Sequence, residues 1–123
     1  MLRPRTIPAA LIAAAALLLL VTATAGAGGV DAQAARSCSV PDYPGSGYFL
    51  SLSVKGTSCA TGRKLALAFY RCRTRSGRAG RCHRRVLRYS CRERRQSIPT
   101  EIDAKVTCRR GGRRVIHTYQ QNT

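Results

Sequence analysis

The sequence predicts a small, disulfide-stapled α+β fold: one helix packed on a four-stranded, mainly antiparallel sheet, in the order strand, helix, strand, strand, strand. Three observations carry this expectation. Apolar and polar residues alternate in several short runs, a single run has helical spacing instead, and six cysteines are scattered through a short basic chain without any Cys-x-x-Cys pair.

The domain is expected over residues 48–120. Tyr48, Leu50, Leu52 and Val54 alternate with Phe49, Ser51, Ser53 and Lys55, which gives a first strand that Gly56 ends. Thr57 or Ser58 can cap a helix, and Leu65, Ala68, Phe69 and Cys72 fall at i, i+3, i+4, i+7, so one helical face is apolar as far as Arg73. The stretch 74–80 has two glycines and no period, and it is expected as a loop. Leu87, Tyr89 and Cys91 alternate with Arg88, Ser90 and Arg92 as a second strand. Ser97-Ile98-Pro99-Thr100 makes a turn, and Ile102, Ala104, Val106 and Cys108 form the apolar side of a third. Gly111-Gly112 then suits a two-residue hairpin loop into a fourth strand from Arg113. Pairing Arg110 with Arg113 sets Cys108 opposite Val115, Val106 opposite His117 and Ala104 opposite Tyr119.

The first 35 of the 123 residues belong to a different regime. Arg3 and Arg5 precede a 13-residue apolar run, Ala9 to Val21, and small residues follow; this is the form of a secretory signal and too short for a membrane-spanning helix. Small-x-small cleavage sites lie after Ala25, Ala27 and Ala34, with a loose leader to residue 35 and a turn-rich segment over 36–47. The remaining 88 residues keep all six cysteines and 20 Lys and Arg against four acids, a formal net charge of +16. The mature chain is therefore expected as a secreted or envelope-associated monomer with no membrane-spanning segment. Its thiols should be oxidised in pairs, which a core of this size needs. The gaps between successive cysteines are 20, 12, 9, 8 and 16 residues, which lacks the ligand spacing of structural zinc sites. No metal and no cofactor is expected.

Topology narrows the pairing. If the helix returns antiparallel to the first strand and the second strand rises beside it, Cys59 and Cys91 lie at the upper end of the sheet, and Cys38, Cys72, Cys82 and Cys108 lie at the lower. Cys59–Cys91 is then favoured, with Cys72–Cys82 closing the glycine-containing loop and Cys38–Cys108 clamping the leading segment. The rival for the lower four is Cys38–Cys82 with Cys72–Cys108.

Three strings, Gly56-Thr57-Ser58-Cys59-Ala60-Thr61-Gly62-Arg63-Lys64, Tyr89-Ser90-Cys91 and Val106-Thr107-Cys108-Arg109-Arg110-Gly111-Gly112, resemble a group of small secreted, cysteine-containing proteins of high-GC actinobacteria. The likeness spans about residues 48–120. It implies a fold and a compartment but no activity, and it transfers no functional residue.

Charge is the remaining functional signal. Residues 71–95 contain 11 arginines and one acid, Glu93. Planar guanidinium groups suit phosphates and carboxylates, so a binding surface for anionic polymers or envelope material is expected, with Arg84, Arg85, Arg88 and Arg92 as its candidates. The competing account is compositional, since a high-GC genome inflates Arg and such a surface keeps a small domain soluble. Low aromatic content argues against a single-strand base reader. Two other classes are carried beside it. A protease-inhibitor-like protein would present Arg78 or Arg81 from the bridged loop or use the Pro99 turn, and a small RNA hydrolase would draw on His83, His117, Asp42, Glu93, Glu101 and Asp103, with one His or Glu as base, another His as acid and an Arg to hold the developing phosphorane charge. His117 falls on the inner face, where a core imidazole is commoner, and no catalytic residue is assigned.

Overall fold

The structure, a computed structural model, describes residues 34–123; the expected leader, apart from residues 34 and 35, lies outside them. The elements in chain order are β1 (Arg36–Ser37), β2 (Gly47–Lys55), α1 (Cys59–Thr74), β3 (Ser90–Ile98), β4 (Glu101–Arg110) and β5 (Arg113–Asn122). They make one five-stranded sheet in the order β1-β2-β5-β4-β3, with every neighbouring pair antiparallel. The helix packs across β2 and β5 on one face. The fold is α+β as expected, but the sheet has five strands rather than four. The additional strand, β1, comes from the leading segment read as turns: Arg36 and Ser37 pair with Val54 and Ser53, too short a run to show a period.

The helix begins where the sequence places it. Ser58 adopts an extended conformation and its hydroxyl accepts the Thr61 N–H, satisfying one of the donors a helix start leaves free. Its buried stripe is Gly62, Leu65, Ala66, Phe69 and Arg73, rotated slightly from the predicted face so that an arginine occupies the last inward turn. Gly62 lets the helix lie close on the sheet, because a Cβ there would stand 2.6 Å from a Val54 methyl.

The β4–β5 hairpin has the predicted register, with Arg110 opposite Arg113, Cys108 opposite Val115, Val106 opposite His117 and Ala104 opposite Tyr119. Gly111, at φ 55°, supplies the left-handed residue that the tight loop requires. The second predicted strand is displaced. Val86 and Tyr89 exchange both backbone hydrogen bonds around a two-residue turn in which Leu87 and Arg88 have φ of 48° and 68°. Two positive φ values follow the pattern of a type I′ turn, which normally takes Asn-Gly; a side-chain-bearing residue there costs roughly 1 kcal/mol. The strand itself starts at Ser90, and its inward residues are Cys91, Glu93 and Arg95. Two of the three are charged, so hydrophobic alternation could not reveal it.

This displacement also overturns two of the predicted bridges. The observed pairs are Cys38–Cys59, Cys72–Cys82 and Cys91–Cys108. Only Cys72–Cys82 agrees with the favoured set, and neither pair of the rival set is formed. After α1 the 15 residues of 75–89 carry the chain back to the end of the sheet where the helix began. So β3 runs antiparallel to β2 and not alongside it, β4 runs back up, and Cys108 lies at the upper end. Cys38 also lies there, because β1 doubles back on β2 and the Cys38 N–H donates to the Leu52 carbonyl at 2.9 Å. Four cysteines therefore share one end and nearness sorts them: Cys91 faces Cys108 across the β3–β4 ladder at a Cα separation of 4.0 Å, and Cys38 lies 5.5 Å from Cys59. Peptide mapping under acid conditions is expected to recover these three links, and a Cys59–Cys91 peptide would contradict the topology. Replacing Cys91 and Cys108 together by Ala should lower stability by about 3 kcal/mol.

The core between helix and sheet is closed by Leu52, Val54, Leu65, Phe69, Val106 and Val115. Among the described residues no helix is long and apolar enough to cross a membrane.

Candidate anion-binding surface

The helix covers only one face of the sheet, and among the described residues no element covers the other. Because side chains alternate along a strand, the residues between the buried ones on β2–β5 all project from this outer face. At the end nearest the β4–β5 hairpin these are Lys55, Arg92, Arg94, Lys105, Arg109 and Arg114. The register places Arg109 directly opposite Arg114, next to Lys55, and Arg94 directly opposite Lys105. Between β3 and β4 lies an open groove of about 550 Å³, flanked by Arg92, Arg94, Lys105 and Arg109 and floored by the hydroxyls of Ser90 and Thr107.

None of these six cations is neutralised. The salt bridges among the described residues are Arg81–Glu93 at 3.4 Å and Arg95–Glu93 at 2.8 Å, both centred on a carboxylate on the opposite, inner face. The outward acids Glu101 and Asp103 occupy the first half of β4, Asp103 two residues from Lys105 but in no ion pair among the described residues, and the Asp103 carboxyl is raised from its ordinary value chiefly by its hydrogen bond with Glu101. Like charges directly opposite each other on a sheet oppose folding. Here they occur three times, at Lys55–Arg114, Arg109–Arg114 and Arg94–Lys105, and a bound anion would relieve them.

Sequence counting treated all 11 arginines of 71–95 as surface, and the structure removes two of them. Arg73 is fully buried, and the Arg95 side chain is 5% exposed. The Arg73 guanidinium donates to the carbonyl of Arg78 at 3.0 Å, to Gln121 Oε1 and to Tyr43 Oη, and its carbon stands 4.3 Å from the Tyr119 ring centroid. Gln121 Nε2 also donates to the Arg78 carbonyl, at 2.7 Å, and Tyr119 Oη donates to Glu93 Oε1. Arg95 donates to the carbonyls of Ala79 and Gly80, each at 2.8 Å. These contacts tie the loop after α1 to the sheet. Burial raises the Tyr43 hydroxyl to about 12 and pushes Tyr119 up as well, with the Glu93 hydrogen bond adding to the second, so both stay protonated donors.

The four candidates do not share one surface. Arg92 lies on the outer face. Arg84 and Arg85 border a second groove, of about 310 Å³, at the end of α1 together with Arg71 and Arg75, and Arg88 occupies the turn after them. The residues that join Arg92, namely Arg94, Lys105, Arg109 and Arg114, were not singled out together. The hairpin register expected from the sequence implies Arg109 opposite Arg114, and the structure has that pair.

Two groups considered for the other functional classes, His117 and Arg78, are engaged in the fold. His117 is 1% exposed, packed edge-on to Phe49 and Phe69 at centroid distances of 5.7 and 5.6 Å, and neither of its nitrogens has a hydrogen-bond partner among the described residues. Burial, aided by the charge of Arg73, lowers it to about 4, and it cannot exchange a proton with a substrate while His83 stands on the surface. In the loop proposed for protease recognition, the Arg78 carbonyl is already used by Arg73 and Gln121, and two tight turns fold 74–80 on itself. That is not the extended strand a protease cleft takes. No known protein family, curated protein or solved structure matches the chain.

Proposed function

We propose that this is a secreted, cationic, disulfide-stabilised domain that binds anionic polymers of the cell envelope, and that it does so without catalysis through the outer face of its sheet. The observation that carries this reading is the set of six unpaired cations on that face, with Arg109 opposite Arg114 and Arg94 opposite Lys105. Three disulfides suit an extracellular site of action, as does the kinship suggested with small secreted actinobacterial proteins. Recognition rests on charge, because the groove floor offers only two hydroxyls and no aromatic ring. Phosphodiester and carboxylate polymers should therefore both bind, with little selectivity for the backbone that carries the charge.

The test is salt dependence. Taking a DNA duplex as a phosphodiester probe, neutralising about five phosphates should give a slope of log K against log salt of about −4 to −5. Arg92→Gln, Arg94→Gln and Lys105→Gln should each flatten it by about one unit. Removing Arg94 or Lys105 also relieves a like-charge pair, so these variants should unfold at equal or slightly higher denaturant concentration while binding less. Slopes unchanged by all three substitutions, or binding indifferent to salt between about 50 and 200 mM, would assign the charge to solubility alone.

A further inference from the structure

In the groove at the end of α1 an exposed apolar side chain stands among the cations, whereas the exposed Tyr48 and Ile98 of the outer face lie at the end of the sheet away from its cationic cluster. Arg71 in the last turn of the helix and Arg75 at its C-cap line it together with Arg84 and Arg85 of the following loop, and Leu87 belongs to the same lining. Leu87 is 53% exposed, and its neighbours in the turn, Val86 and Tyr89, are buried anchors. No side chain of these four arginines donates to an acceptor among the described residues, and no acid lines the groove.

The backbone supplies an independent reason to take Leu87 seriously. Leu87 and Arg88 sit in left-handed conformations that glycine or asparagine would adopt without penalty. The turn is nevertheless rigid, closed by two hydrogen bonds and flanked by cysteines bridged to α1 and to β4. The sequence thus accepts an unfavourable backbone in order to display a leucine and an arginine, where Asn-Gly would display neither. Strain of this kind, held in place by its surroundings, points to use.

We propose that this groove docks on an anionic phospholipid surface, with Leu87 inserted among the headgroups and Arg71, Arg75, Arg84 and Arg85 meeting the lipid phosphates. An apolar tip ringed by cations fits an interface that is apolar within and negative at its edge, whereas a dissolved polyanion has no place for the leucine. The site lies apart from the outer face, so the domain could hold an envelope polymer and a membrane at once. The inference does not depend on the polymer reading.

Co-sedimentation tests it with vesicles of phosphatidylglycerol and phosphatidylcholine against vesicles of phosphatidylcholine alone. The full mature chain should partition to the mixed vesicles. The double variant Leu87→Asn/Arg88→Gly should lose about tenfold, the worth of a partly buried leucine, while resisting unfolding at least as well as the parent. Arg84→Gln and Arg85→Gln should each lose about fivefold. Since the chain has no tryptophan, Leu87→Trp gives a unique signal, and its emission should shift to the blue on the mixed vesicles. Arg92→Gln/Arg94→Gln should leave vesicle binding in place while weakening polymer binding, which separates the two surfaces. The proposal is overturned if the double variant partitions like the parent, if the tryptophan emission does not move, or if neutral vesicles bind as well as anionic ones.

Discussion

Arg73→Ala is expected to destabilise the domain by about 3–5 kcal/mol, through a cavity where a large buried side chain stood and through polar groups left without partners. The guanidinium supplies donors to Gln121, Tyr43 and the Arg78 carbonyl, and it stacks on Tyr119. Losing it frees the end of α1, the leading segment through Tyr43, and the loop through Arg78. Burial of a cation with no carboxylate contact opposes folding, so Arg73→Met, which sheds the charge and keeps most of the volume, should cost less, about 2 kcal/mol. Guanidinium unfolding with the disulfides intact distinguishes the two. A loss below about 1 kcal/mol for Arg73→Ala would show that the polar cluster only fills space, because a domain with about 5–15 kcal/mol in total would feel any real clamp.

The same cluster explains why the fold was half legible. Where burial follows hydrophobic alternation, as along Ile102, Ala104, Val106 and Cys108, the strand, its register and its partner could all be read from residue order. Along β3 the inward positions are Cys91, Glu93 and Arg95, and the two charged ones are satisfied by Tyr119 and by loop carbonyls that lie 15 to 26 residues away in the chain. No local pattern announces such partners. The predicted second strand puts Cys91 near its end; in β3 (Ser90–Ile98) Cys91 is the second residue, so the hairpin joining Ile98 to Glu101 sets it opposite Cys108 whichever way the strand runs. The binding surface suffered in parallel. A count of arginines along 71–95 mixed buried Arg73 and Arg95 with the two separate exposed groups, whereas the outer face draws on four strands and is assembled only by pairing.

Acid should weaken the domain through His117. In the unfolded chain the imidazole titrates near its ordinary value of 6.5; in the folded core, burial first and Arg73 second lower it to about 4. Above about pH 6.5 the ring is neutral in both states and contributes no pH dependence. As the pH falls from there the unfolded chain takes up a proton that the folded chain refuses, so stability is lost progressively and levels off below about pH 4, after a total of about 3 kcal/mol. His117→Leu removes this slope. It should also be about 1 kcal/mol more stable than the parent at pH 7.5, because two buried nitrogens without partners are replaced by carbon among Phe49, Phe69 and Leu52. Other groups titrate over the same range, so the informative quantity is the difference between the two stability curves, which should widen steadily between pH 6.5 and pH 4. NMR of the folded parent gives a second reading that needs no substitution: the His117 ring protons should move only near pH 4. Curves that stay parallel, or a His117 signal that moves near pH 6.5, would mean that water or an acceptor reaches the imidazole and that the core at this point is open.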